Sequence, residues 1–176
     1  IINGKKWWTS GAMDPRGKVL IFMGKTDPNN TDKHKQQSQI VVPMDTPGIK
    51  VERYLPVFGF TDAPHGHAEV SFTNVKVPKE NRIGDDGFGF KFAMQTLSGG
   101  RIGIAAQALG IASGAYELCL EYSKQRKAFG KPICQHQSVA FKLAKMATDI
   151  ETSRLLCLKA AWEKDNNLDY SLSGAM

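Results

Sequence analysis

The chain has 176 residues, enough for one domain with a sizeable core or for two small ones. Its content of 41% hydrophobic and 23% charged residues is that of a globular protein and excludes a disordered, collagen-like or disulfide-dense chain. The net charge of +6 is diffuse, with twelve basic and eight acidic residues in 1–84 and eleven and nine in 85–176, so no basic stripe marks a nucleic-acid face and no nucleic-acid partner is expected.

The first half reads as β. Residues 18–24, 39–43 and 49–55 have strand length and β-branched content, and Asp27-Pro28-Asn29-Asn30 and Asp45-Thr46-Pro47-Gly48 separate them with turn chemistry. From His67 the alternation is clear: Ala68, Val70 and Phe72 face one way and His67, Glu69, Ser71 and Thr73 the other, which predicts a half-buried antiparallel strand. The basic segment 32–37 reads as a solvated loop between strands.

The period changes after Asp85-Asp86-Gly87. From Ile102 two apolar stripes run side by side, one through Leu109 and Tyr116 and the other through Ile104, Ile111, Leu118 and Tyr122, and a helix apolar on two faces belongs inside a bundle. A further stripe from Val139 through Leu143, Met146, Ile150 and Cys157 to Ala160 predicts a second long helix, with Gly130 and Pro132 breaking the connection. Gly103, Gly110 and Gly114 each cost about 1 kcal/mol against Ala in a helix, so close helix contact is expected at all three.

Cys119, Cys134 and Cys157 lack the short paired spacings of a zinc site or an oxidised framework, which points to a reducing compartment. No run approaches the roughly 18 apolar residues of a membrane span, and residues 1–6 have no apolar core of a signal peptide, so neither a span nor secretion is expected. The chain starts without Met in what reads as a strand and stops at Met176, as a fragment of a longer protein would.

Four segments carry candidate chemistry. His65-Gly66-His67, near Asp62 and Glu69, puts two imidazoles on one strand face, as a partial metal site or as a polar strand end. Ser98-Gly99-Gly100-Arg101 reads as a helix start whose free N–H groups and Arg suit a phosphate or other anion, or as a kink or cap between helical segments. Arg126 follows the first long helix, where it can stabilise the last carbonyls or reach a pyrophosphate with its planar fork. Trp7 and Trp8 end the first strand; strand neighbours face opposite ways, so one belongs to the core and the other to a cavity or neighbouring surface, and with the hydroxyls of Thr9 and Ser10 the pair suits a planar aromatic cofactor.

At the level of whole segments the chain resembles the acyl-CoA dehydrogenases, which are FAD enzymes. Residues 93–97, 100–112, 126–133, His136-Gln137, 141–144 and 160–162 resemble short-chain members, and 72–78 with Asn81 resembles the link between the family's two domains. Residues 2–11, 33–38, 42–44 and 57–62 resemble instead the large members in which a kinase-like domain precedes the dehydrogenase. The resemblance implies an α+β chain: a partial, barrel-like antiparallel middle domain over 1–84, and over 85–176 the first half of a helical domain built as a four-helix bundle.

What it implies for the site is carried residue by residue. Trp8, Thr9 and Ser10 would lie against the flavin ring, with a hydroxyl or backbone N–H near N5; a donor there stabilises charge as the flavin takes up a hydride. Arg126 matches the Arg that approaches the FAD pyrophosphate of a partner subunit, and Phe129 and Gln137 match residues lining the same cofactor, while Ala128 stands where many relatives carry Thr or Gln. Arg101 matches the Arg near the CoA side of the substrate, with Ser98 in place of a frequent Asp. The family's proton-abstracting Glu belongs to a Tyr-Glu-Gly-Thr segment beyond residue 176, or in some branches to the position held here by Gly100, so no residue of 1–176 is expected to be the catalytic base. The implied activity is FAD-dependent oxidation of an acyl-CoA at the α,β bond, with electrons passed to an electron-transferring flavoprotein by a homodimer or homotetramer. The location would be the cytoplasm of a bacterium, or the mitochondrial matrix or peroxisome of a eukaryote. The other reading is a non-catalytic remnant that binds CoA or a partner subunit through its helical face.

Overall fold

The computed structural model describes residues 1–176, which form two compact units, 1–93 and 94–176. In the first, β1 (Ile2–Ser10), β5 (His67–Val75) and β4 (Ile49–Tyr54) make one antiparallel sheet with β5 in the middle. The second sheet places β3 (Gln37–Pro43) between β2 (Val19–Lys25) and the two-residue β6 (Arg82–Ile83). The core is supplied by the alternating face of β5, where Ala68, Val70, Phe72 and Val75 are buried, and by Val42 of β3. Phe22 of β2 meets Phe72 edge-on at 4.9 Å between ring centroids. Fully burying one such Val or Phe side chain stabilises the fold by about 1.5–3 kcal/mol. The sheets are not closed into a barrel.

Residues 85–93 stay with this unit although the helical period has already begun. The Gly87 N–H donates to Ser38 Oγ at 3.0 Å, and Gln39 Nε2 donates to the Gly89 carbonyl at 3.0 Å. Gly89 is required there by close approach, since a Cβ would fall 2.7 Å from the Ser38 carbonyl carbon.

Two helices dominate the second unit. α1 runs without interruption over Gly89–Gln125, its first turns belonging to the β unit, and α2 spans Gln137–Asp165. Between them β7 (Lys127–Ala128) and β8 (Lys131–Pro132) form a minimal hairpin. Its two turn residues, Phe129 and Gly130, have φ of 51° and 80°, the left-handed pair that a tight two-residue hairpin turn needs. Along α2 the expected stripe holds except at Met146, which is exposed: Leu143 and Ala160 are buried and Val139, Ile150 and Cys157 half-buried. On α1 only the stripe through Ile102, Leu109 and Tyr116 is partly covered, and Ile104, Ile111, Leu118 and Tyr122 are exposed.

One expectation fails here. Gly103, Gly110 and Gly114 are exposed, and a Cβ at any of them would meet nothing within 4 Å, so they do not sit in a helix contact within this chain. α1 is long and apolar enough to cross a membrane by length and composition alone, although it holds no unbroken apolar run of that length and no strong membrane span is present. The small residues interleaved with its Ile and Leu explain the difference: they break the runs without making the helix polar.

Candidate functional site

In the β unit the candidate site is the end of β1. Lys6 pairs with Val70 and Thr9 with Ala68, so Trp7 and Trp8 together stand opposite the single residue Glu69. That is a β-bulge, and within it Trp8 takes a left-handed φ of 58°. The bulge breaks the alternation on which the expectation for the Trp pair rested. Neither indole is in the core: Trp7 is 66% and Trp8 46% exposed, and their rings lie 5.8 Å apart with 39° between planes. Trp8 also meets His67 edge-on at 5.9 Å, and Ser10 Oγ is 2.8 Å from His67 Nδ1. Thr9 is half-buried beside them. Trp7, which the family resemblance does not carry into the site, belongs to the same aromatic surface; its signal was its place in the indole pair beside the Thr9 and Ser10 hydroxyls.

A non-glycine residue in the left-handed region costs on the order of 1–3 kcal/mol and persists where its surroundings over-determine it, often at binding sites. Held there, Trp8 presents its ring to solvent, a shape suited to a flat aromatic ligand. His65 precedes β5, which starts at His67, and no group of three or more His, Cys, Asp or Glu side chains converges on a metal position. A cavity of about 460 Å³ in this unit is lined by Ile2, Phe22, Ile40, Lys79 and Arg82 among others, and it does not include Trp8, Thr9 or Ser10.

In the helical unit the candidates separate into two places. Ser98 and Arg101 lie well inside α1, so the segment is neither a helix start nor a break, and its backbone N–H groups are not freed for an anion. The reason is that Gly99 and Gly100 lower helix propensity by only about 1 kcal/mol each, which the flanking helix-forming residues outweigh. Arg101 is exposed and Ser98 half-buried. Arg126 lies at the other end of the helix, 25 residues and about 38 Å further on at 1.5 Å per residue.

There Arg126, Phe129 and Gln137 gather around the hairpin. The Arg126 N–H donates to the Tyr122 carbonyl and its carbonyl accepts from Ile133 N–H at 2.8 Å, fixing the main chain, while its exposed side chain makes no bond to the carbonyls that end α1. Phe129, at the tip, is 97% exposed. Gln137 opens α2, exposed. His136, absent from the expected site, has Nε2 3.0 Å from the Ala128 carbonyl and its ring edge-on to Phe129 at 6.1 Å. A cavity of about 360 Å³ lies elsewhere, between α1 and α2, lined chiefly by Ala105, Ala108, Leu109, Ile150 and Leu156.

Exposed aromatic rings in one unit, and an exposed ring beside an unpaired guanidinium in the other, are the equipment of a protein that holds a flat ligand with anionic groups. Residues 1–75 match the acyl-CoA dehydrogenase middle domain and residues 87–176 the acyl-CoA dehydrogenase C-terminal domain. The chain belongs to the acyl-CoA dehydrogenase family. It is 55% identical over 161 residues to the probable acyl-CoA dehydrogenase IBR3 of Arabidopsis thaliana, a match that covers 92% of this chain and 19% of the relative. Butyryl-CoA dehydrogenase from Megasphaera elsdenii superposes with a TM-score of 0.81 at 39% identity, over 98% of this chain and 44% of the other. The structure of PigA with FAD and proline superposes with a TM-score of 0.87 at 29% identity, over 99% of this chain and 44% of the other. The chain thus spans less than half the length of each of these relatives.

Proposed function

We propose that the chain supplies FAD- and acyl-CoA-binding elements of an enzyme that oxidises an acyl-CoA at its α,β bond and passes the electrons to an electron-transferring flavoprotein. The single observation that carries this is the pairing, in a chain of this family, of an unpaired Arg126 guanidinium with a solvent-facing Phe129 on a fixed hairpin. The donor set fits FAD: guanidinium suits a pyrophosphate, and exposed rings suit the flat ends of a dinucleotide. That the PigA structure is described with FAD supports the cofactor, and the name of the M. elsdenii enzyme supports an acyl-CoA substrate.

When bound, FAD supplies an acceptor for the β-hydride of the acyl chain. The residues of this chain bind and orient. Trp7 and Trp8 offer a face, and the end of β1 offers the Thr9 and Ser10 hydroxyls; the Ser10 hydroxyl is already engaged with His67, which leaves Thr9 the more available donor. Arg126, Phe129 and Gln137 hold the cofactor of a partner subunit in a homodimer or homotetramer, and Arg101 with Ser98 contributes on the CoA side. Gly100 has no side chain with which to take a proton, so the reading assigns the catalytic base to no residue of 1–176.

The test is FAD titration of the apo form of an enzyme of the relatives' full length that carries this chain. A charge-assisted hydrogen bond is worth about 1.5–3 kcal/mol, so Arg126→Ala weakens FAD binding by roughly 10- to 150-fold with the fold intact. Equal dissociation constants for variant and parent would refute the assignment.

A further inference from the structure

The hairpin that carries Phe129 has two residues in each strand, too short to hold itself together in water. Something outside it must fix its crown, and the structure offers one side chain. His136 Nε2 lies 3.0 Å from the Ala128 carbonyl, next to the turn, and the imidazole meets the Phe129 ring edge-on, at 6.1 Å and 82°. His136 is itself anchored: it is the residue that caps α2, with φ −83° and ψ 127°, and its carbonyl accepts from the Val139 and Ala140 N–H groups, each at 2.9 Å.

We propose that His136 is a positioning residue, which ties the crown of the hairpin to the start of α2 and so sets the direction in which Phe129 and Arg126 are presented. The inference rests on the reading of this hairpin as an FAD-binding element. A carbonyl oxygen only accepts, so the proton of the neutral imidazole sits on Nε2 and Nδ1 is left as an acceptor. Phe129 combines a φ of 51° with almost complete exposure, and the His136 ring is its one aromatic neighbour. Without the imidazole, what remains is the hairpin's own two-pair ladder and the Ile133 N–H to Arg126 carbonyl bond at its base, too little to hold the turn in one direction.

The test compares His136→Leu, which removes the donor, with His136→Gln, whose side-chain N–H can reach the same carbonyl. Trypsin cuts after Arg126 and Lys127, so native-state cleavage in the hairpin reads its local order. Loss of one neutral hydrogen bond should raise the cleavage rate about 2- to 12-fold in the Leu variant, and the Gln variant should return it to near the parent value. Equal rates in all three proteins would overturn the proposal. So would nitrogen chemical shifts of His136 that place the neutral proton on Nδ1, a measurement on the unsubstituted protein that does not depend on either variant folding. FAD affinity separates this inference from the reading beneath it. Faster cleavage with weaker, Gln-rescued FAD binding supports both, whereas faster cleavage with unchanged FAD affinity keeps His136 as the hairpin's tether and removes the hairpin from the FAD site.

Discussion

The two units of this chain close their cores to different degrees. In the β unit each sheet has one apolar face, and the two sheets cover one another, so Val42, Ala68, Val70, Phe72 and Val75 are buried. In the helical unit α1 carries two apolar faces and has one neighbour along its length, so only Leu143 and Ala160 of α2 reach burial among the hydrophobic residues. The lesson is geometric. A strand with period two has a single face to satisfy, and one partner layer completes it. A two-striped helix needs neighbours on two sides, and a pair of helices cannot supply them.

Core substitution should expose that difference most strongly. Phe72→Ala removes a buried ring packed against Phe22 and should cost about 3–5 kcal/mol in urea unfolding, whereas Leu118→Ala, on the open stripe of α1, should change stability by less than about 0.5 kcal/mol. Comparable losses at the two positions would mean that the second stripe is covered in solution. The next effect bears on what covers it. Ile104, Ile111, Leu118 and Tyr122 together form an apolar face of the kind that drives association. The protein should therefore self-associate at micromolar concentration, and Ile111→Lys with Leu118→Lys should weaken association roughly a hundredfold, on the basis of about 1.5 kcal/mol for each buried side chain lost. Sedimentation equilibrium measures both; a monomeric parent would break the comparison.

A smaller effect sharpens the account of the β unit's site. Trp8 holds a left-handed φ at the bulge. Replacing it by Ala or by Gly removes the indole equally, but only Gly relieves the backbone, so Trp8→Gly should be more stable than Trp8→Ala by about 1 kcal/mol. Thermal melts of the two variants decide it, and an Ala variant at least as stable as the Gly variant would show that the bulge is not held as described.

What the sequence made legible follows the same division. The strands at 18–24, 39–43, 49–55 and from 67, and the buried set Ala68, Val70 and Phe72, were readable because alternation and turn residues are local signals. The stripe of α2 was readable for the same reason. The bulge at Trp7-Trp8 was not, because it is set by register against β5, a partner some 60 residues away, and nothing in the run Lys6 to Thr9 announces it. Ser98–Arg101 misled because two glycines look like a terminus, while helix continuity is decided by the residues on either side. Arg126, Phe129 and Gln137 were named only through likeness to a family, and in the structure they stand around one hairpin. His136 was not singled out because its approach to the Ala128 carbonyl across that hairpin is a relation visible only after folding.

The smallest effect concerns the turn that leads from β1 to β2. Asp14 accepts hydrogen bonds from Arg16 at Nε (2.9 Å), at Nη2 (2.7 Å) and from its backbone N–H (2.9 Å). The Arg16 side chain first, and its N–H second, lower the Asp14 carboxyl from 3.8 to about 2. A carboxyl depressed on folding contributes above its unfolded value and loses that contribution as pH falls through the folded one, so the turn should hold from neutral pH down to about 3.8 and loosen progressively between there and about 2. Arg16 is exposed and Asp14 half-buried in a surface turn, so the consequence should be local, without a shift in the global melting temperature at neutral pH. Carboxyl chemical shifts of Asp14 across that range give the midpoint directly. In Arg16→Ala the guanidinium is gone but the backbone donor remains, so the midpoint should rise and still stop short of 3.8. A midpoint unmoved by the substitution would mean that Arg16 and Asp14 do not meet in solution. A global unfolding transition tracking the same midpoint would tie the turn to the β core, and would remove the contrast between a closed core and an independent surface turn.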